Sequence, residues 1–144
     1  MRYVPIAVPS PEYAAALALR EAELRRPLGL GFSDEDRQDD RRARHFAAFA
    51  GDRLVGCVLG VPDGDAVRVR QMVVVGALRG RGIGAGLMAA LEASFAAAGG
   101  SVFRLNARLP AVPFYRRLGY REVGEPFEEL GIAHRRMEKR LSAP

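Results

Sequence analysis

The sequence predicts one mixed α/β domain of the α+β type, with a twisted, largely antiparallel sheet of about six or seven strands flanked by helices. Three observations carry this reading. Strand-like apolar runs fill the middle of the chain and are separated by the turn signals Gly51-Asp52 and Pro62-Asp63-Gly64-Asp65. Helical periodicity is confined to the N-terminal segment and to two later stretches. No repeat, low-complexity tract or linker divides the 144 residues, so residues 1–144 are taken as a single domain.

The elements follow in order. Ser10 and Pro11 read as the N-cap and first position of a helix. It is expected to run to about Arg26, because Pro27 disfavours helix before it. A second, shorter helix starts near Ser33. Asp34, Glu35 and Asp36 stand in its first turn and Arg41, Arg42 and Arg44 near its end, as the helix dipole prefers. From His45 the pattern turns to strands, HFAAFA and RLVGCVLGV, joined by the Gly51-Asp52 hairpin turn. AVRVRQMVVV alternates and then becomes continuously apolar, which predicts one solvated face followed by burial on both.

A glycine-rich loop comes next, then a helix from about Gly84 to Ala98. Leu87, Leu91 and Phe95 share one of its faces, and Gly99-Gly100 stop it. SVFRLNA is the following strand. AVPFYRRL reads as a short helix, with Pro113 in its first turn and Gly119 at its end. YREVGEPF and AHRRMEKRL are the final strands, joined by an irregular loop from Glu128 to Gly131.

Composition bounds the function. Hydrophobic residues make up 49% and charged residues 27%, as in a folded globular protein rather than a disordered one. No apolar run approaches the roughly 18 residues of a membrane helix. Prolines break the N-terminal MRYVPIAVPSPEY, so no signal peptide is expected. Cys57 is the single cysteine, which excludes an internal disulfide framework or a cysteine metal cluster and suits a reducing cytoplasm. The net charge is +5 and the pI about 10.1, with Lys139 the only lysine. This balance fits a polyanionic partner, either nucleic acid or a phosphate-rich cofactor; arginine-rich usage following genome composition accounts for it equally.

Chemistry concentrates in Arg79-Gly80-Arg81-Gly82-Ile83-Gly84. Glycines permit positive φ and close approach of a ligand to the main chain. The helix behind them offers unpaired N–H groups and a partial positive charge, and two arginines add full charges. Together they describe a phosphate or diphosphate site. The lysine of a P-loop is missing. Gly84-x-Gly86-x-x-Ala89 formally fits a dinucleotide fingerprint, but its glycines lie within the helix and no acidic residue follows about 20 positions on.

Arg79-x-x-Gly82-x-Gly84 after an apolar strand, followed by Phe114-Tyr115-x-x-Leu118-Gly119-Tyr120, resembles the GNAT superfamily of N-acetyltransferases from His45 to the C-terminus. The resemblance implies a GNAT-like sheet and acetyl-CoA as co-substrate, with no metal. Its diphosphate would rest on Arg79, Gly80, Arg81, Gly82, Ile83 and Gly84. Its pantetheine arm and thioester would lie on the backbone of Met72, Val73 and Val74, one amide steadying the oxyanion. The next strand would splay away to make room. Tyr115 matches the tyrosine that protonates the departing thiolate; a core role suits it as well.

The glutamate base of many relatives is replaced by Asn106, which cannot take a proton near neutral pH but can hydrogen-bond an acceptor. His45, His134, Glu128 and Glu129 are the candidate bases, and His134 is also placed at the acceptor. Arg68 and Arg70 share a strand face and read either as attractants for an acidic acceptor or as paired surface positions. Cys57 reads as a small core residue.

The resulting expectation is a cytoplasmic N-acetyltransferase in which a small-molecule or peptide amine attacks the thioester directly in a ternary complex. The alternative is a non-catalytic acyl-CoA-binding or sensing module, since the family base is absent. Nucleic-acid binding through the +5 charge lacks a recognition motif. No membrane partner is expected, and a homodimer is common in the family.

Overall fold

A computed structural model describes residues 1–25 and 32–141. Eight strands form one sheet in the order β1-β2-β3-β4-β5-β8-β6, with β7 also paired to β8. The strands are β1 (Arg2–Ile6), β2 (Arg44–Ala50), β3 (Arg53–Asp63), β4 (Ala66–Val74), β5 (Val102–Arg108), β6 (Arg121–Glu122), β7 (Phe127–Glu129) and β8 (Ile132–Arg140). Four α-helices flank them: α1 (Pro11–Arg20), α2 (Asp34–Arg42), α3 (Ile83–Ala97) and α4 (Val112–Arg117). Among the described residues only β4 and β5 pair in parallel; the remaining pairs are antiparallel. The mixed, mainly antiparallel architecture is the one the sequence predicts.

Local chemistry sets the helix starts. Ser10 accepts from the Tyr13 amide, and Pro11 opens α1. Ser33 and Asp36 form a reciprocal capping box at α2. The chain continues from α1 as a wider π turn over Glu21–Arg25; the expected helix end before Pro27 lies outside the described residues.

Three expectations need correction. The N-terminal segment, to which the sequence pattern assigns no element, forms β1, an edge strand on β2, where Pro5 is tolerated. YREVGEPF is two short strands rather than one. The stretch from Glu128 to Gly131 is a tight hairpin: Leu130 and Gly131 take φ of 54° and 74° and connect Glu129 to its partner Ile132.

The larger core lies between the sheet and α3 with α4. It is built on Phe46, Val58, Leu87, Leu91, Phe103 and Met137. Burying each such side chain stabilises the fold by about 1.5–3 kcal/mol. Helix α3 comes so close that a Cβ on Gly60 of β3 would stand 2.6 Å from the Phe95 ring. A smaller cluster, Ala16, Cys57 and Val73, packs α1 on the opposite face.

Candidate active site

Strands β4 and β5 pair at Ala66↔Val102, Val67↔Phe103 and Arg68↔Arg104, and there the pairing stops. Each then follows a different neighbour. β5 stays in register with β8 throughout, from Val102↔Arg140 to Arg108↔His134. β4 stays with β3 but bulges, because Cys57↔Val73 is followed by Leu59↔Arg70. Within the bulge Gln71 takes φ of 58°, a left-handed value uncommon outside glycine. The strands diverge into a cavity of about 610 Å³ lined by Met72, Arg70, Asn106, Tyr115, Glu129 and His134.

The glycine-rich loop runs from the end of β4 to α3. Gly82 caps α3 with φ of 81°, a conformation that would strain a side chain. No side chain caps the helix, and its first backbone bond runs from the Gly86 amide to the Gly82 carbonyl at 3.0 Å. The amides of Ile83, Gly84 and Ala85 therefore have no intrahelical acceptor and point out of the helix start. The Ile83 side chain, 3% exposed, anchors this turn in the core. Arg79 and Arg81 are exposed beside it. Arg79 reaches Glu23 at 3.3 Å and the Val74 carbonyl at 3.4 Å. Met72 and Val74 pack toward the α3-side core, Val73 toward α1.

Tyr115 lies on α4 at the inner wall of the cavity, edge-on to Phe114 and Tyr120. Burial pushes its phenol up to about 12, so it is protonated under ordinary conditions. His134, on β8, lines the same cavity. Its Nδ1 stands 2.7 Å from the Ile132 carbonyl, which can only accept, so Nδ1 carries a proton. Glu129 lies 3.8 Å from Nε2, and Phe127 stacks on the ring.

The other sequence candidates divide. Asn106 is exposed at the cavity and registers with Arg136. Arg68 and Arg70 line it too, but they are neutralised by α2: Arg68 donates to Asp39 at 3.2 Å, and Arg70 donates to Asp39 and to Asp36. His45 lies away from the cavity, its Nε2 2.8 Å from the Asp40 carbonyl, and burial holds its pKa below the ordinary value. Glu128 pairs with Ala133 and does not line the cavity. Burial raises the Cys57 thiol to about 12, far from a reactive thiolate. Among the described residues no group of three His, Cys, Asp or Glu is arranged to hold a metal ion, and no helix is long and apolar enough to cross a membrane.

Sequence reasoning missed Arg20, Asp40 and Gln71. Arg20 is 1% exposed and forks onto Asp40 at 2.8 and 3.0 Å. No local pattern marks such a pair, because its members come from separate elements.

A family model described as "Acetyltransferase (GNAT) domain" matches residues 33–141. The chain is 30% identical over 125 residues to the uncharacterized N-acetyltransferase YjcF of Bacillus subtilis, covering 86% of this chain and 89% of that protein. The crystal structure of Escherichia coli ElaA superposes with a TM-score of 0.83 at 26% identity, covering 96% of this chain and 99% of the other. An aminoglycoside 6'-N-acetyltransferase complexed with coenzyme A shares the fold at a TM-score of 0.84 and 20% identity, covering 100% of this chain and 99% of the other. A glycine-headed helix beside a splayed sheet, matched over this length, marks an acetyl-CoA-dependent N-acetyltransferase. The chain belongs to the GNAT acetyltransferase family.

Proposed function

We propose that this protein transfers an acetyl group from acetyl-CoA to an amine by direct attack in a ternary complex. The observation that carries the reading is the parting of β4 and β5 beyond Arg68↔Arg104 into a cavity with Tyr115 and His134 on its walls. The diphosphate takes the free amides of Ile83, Gly84 and Ala85, with Arg81 and with Arg79 exchanged from Glu23. The pantetheine arm runs along Met72, Val73 and Val74, where β4 no longer pairs with β5, and a main-chain amide there steadies the thioester oxygen as charge develops.

The amine enters near Asn106 and gives its proton to His134 Nε2, with Glu129 steadying the imidazolium. Its lone pair attacks the thioester carbon, the C–N bond forms, the C–S bond breaks, and the surplus proton on nitrogen passes through water to restore the Tyr115 phenol. The sulfur leaves with the bonding pair and receives a proton from Tyr115. A phenol at about 12 gives a proton to a thiolate of ordinary pKa near 8.5 only uphill. Tyr115 therefore acts first as a hydrogen-bond donor to the developing sulfur charge.

Calorimetric titration with acetyl-CoA, CoA and NADH tests the reading. Both CoA species should bind, and at about 100 times Kd each should add about 2.7 kcal/mol of stability, while NADH should not. Absence of heat with acetyl-CoA sinks the reading. Thiol release with any amine separates an enzyme from a non-catalytic sensing module.

A further inference from the structure

Five arginines line the cavity: Arg68, Arg70, Arg104, Arg108 and Arg136. Three have carboxylate partners. Arg68 and Arg70 meet Asp39 and Asp36, and Arg104 meets Glu138 at 3.1 Å. Among the described residues Arg108 and Arg136 meet none, and both are exposed on the cavity wall. Register places them beside the reaction centre: Arg108 pairs with His134 and Arg136 pairs with Asn106. Directly paired residues share a face and stand about 5 Å apart at Cβ, so two guanidiniums, an amide and the His134 imidazole form one patch.

Acidic groups lie elsewhere in the cavity. Asp63 sits at the closed end, paired with Ala66. Glu35 stands in the first turn of α2 on the opposite wall, and Glu129 is beside His134. The two free guanidiniums therefore lie together on the β5–β8 wall, Glu129 is the carboxylate beside His134, and Asp63 sits apart at the closed end. A small acceptor carrying both signs a few bonds apart matches that layout. A polycation would lay charge on Arg108 and Arg136.

We infer that the acceptor is an amino carboxylate, its carboxylate held by Arg108 and Arg136 and its amine presented to His134. This rests on the transfer reading above, and the product is the N-acetyl amino carboxylate formed by the step described there. A planar guanidinium fork suits a carboxylate and fixes its orientation.

The test is a thiol-release assay with acetyl-CoA over a panel of α-, β- and γ-amino acids, their decarboxylated counterparts, spermidine and kanamycin. Calorimetry with acetyl-CoA runs alongside on the same proteins. At least one amino carboxylate should exceed its decarboxylated counterpart by about 100-fold in kcat/KM. R108Q/R136Q should shrink that ratio to about 10 or less by raising the acceptor KM, with the melting temperature and acetyl-CoA affinity unchanged. The proposal is overturned if decarboxylated amines or the polycations are preferred, or if no amino carboxylate reacts while acetyl-CoA binds. It is equally overturned if the preference survives in R108Q/R136Q. Loss of acetyl-CoA binding by the parent protein removes the transfer reading itself, and the acceptor proposal with it.

Discussion

Arg20 on α1 donates from Nε to the side-chain carbonyl of Gln71 at 3.2 Å, and Gln71 is the residue at which β4 bulges with φ of 58°. The same guanidinium forks onto Asp40 of α2 and lies over the Phe32 ring. Tyr13 donates to Asp40 as well. A non-glycine residue in the left-handed region costs about 1–2 kcal/mol and persists only where its surroundings hold it. Arg20 supplies one such hold and ties both N-terminal helices to the strand that parts from β5.

Arg20→Met should therefore be costly. It strands the Asp40 carboxylate away from water, and urea unfolding should show a loss of about 3–5 kcal/mol. Adding Asp40→Leu should recover part of that loss, because the uncompensated charge disappears. If the double variant is no more stable than Arg20→Met, the buried ion pair is not the source of the effect.

Tyr115→Phe should lower kcat by about 100-fold or more and leave the acetyl-CoA affinity intact. His134→Gln should also depress kcat without changing cofactor binding. With the phenol at about 12, Tyr115 stays protonated through alkaline conditions. The parent rate should show no loss from Tyr115 ionisation below about pH 10. Initial rates with saturating acetyl-CoA across that range would reveal a contrary decline.

Gly60→Ala should destabilise the fold by about 1–3 kcal/mol, because the new methyl meets the packed Phe95 ring and Val67. Phe95 is 5% exposed and has little room to retreat. Thermal melts of Gly60→Ala with and without Phe95→Leu distinguish overcrowding, which the second change relieves, from lost strand geometry, which it does not.

Stability should be flat at neutral pH and fall on both sides. The Tyr13 and Tyr115 phenols are raised from 10.0 to about 12, chiefly by burial, and the folded state therefore keeps protons that the unfolded chain gives up. Their contribution is complete below pH 10 and is lost as pH rises through about 12. His45 is shifted the other way by burial, from 6.5 downward. It is held neutral, so its contribution is present above pH 6.5 and is lost as pH falls below that value. Urea midpoints across this range measure both limbs, and Tyr115→Phe should soften the alkaline one.

The sequence by itself determined what short-range chemistry controls. Ser10 and Ser33 cap their helices because a hydroxyl needs only the next turn's amides. The run from Arg79 to Gly84 reads as an anion loop because its glycines and helix start are contiguous. The element order from His45 onward, and with it the fold class, follows from period and turn residues, while the family is legible only through the resemblance carried by Arg79-x-x-Gly82-x-Gly84 and Phe114-Tyr115-x-x-Leu118-Gly119-Tyr120. Other features depended on groups brought together from distant segments, and only the tertiary structure decided them. β1 exists because β2 offers an edge to pair with, which the prolines of the N-terminus do not announce. The sequence leaves Arg68 and Arg70 open between attracting an acceptor and pairing, and Asp36 and Asp39 of α2 decide for pairing. The gap between β4 and β5 arises because β3 and β8 each keep one strand in register and nothing bridges them beyond Arg68 and Arg104. Local propensity cannot specify such a divergence, because it reflects competition between partners far apart in the chain.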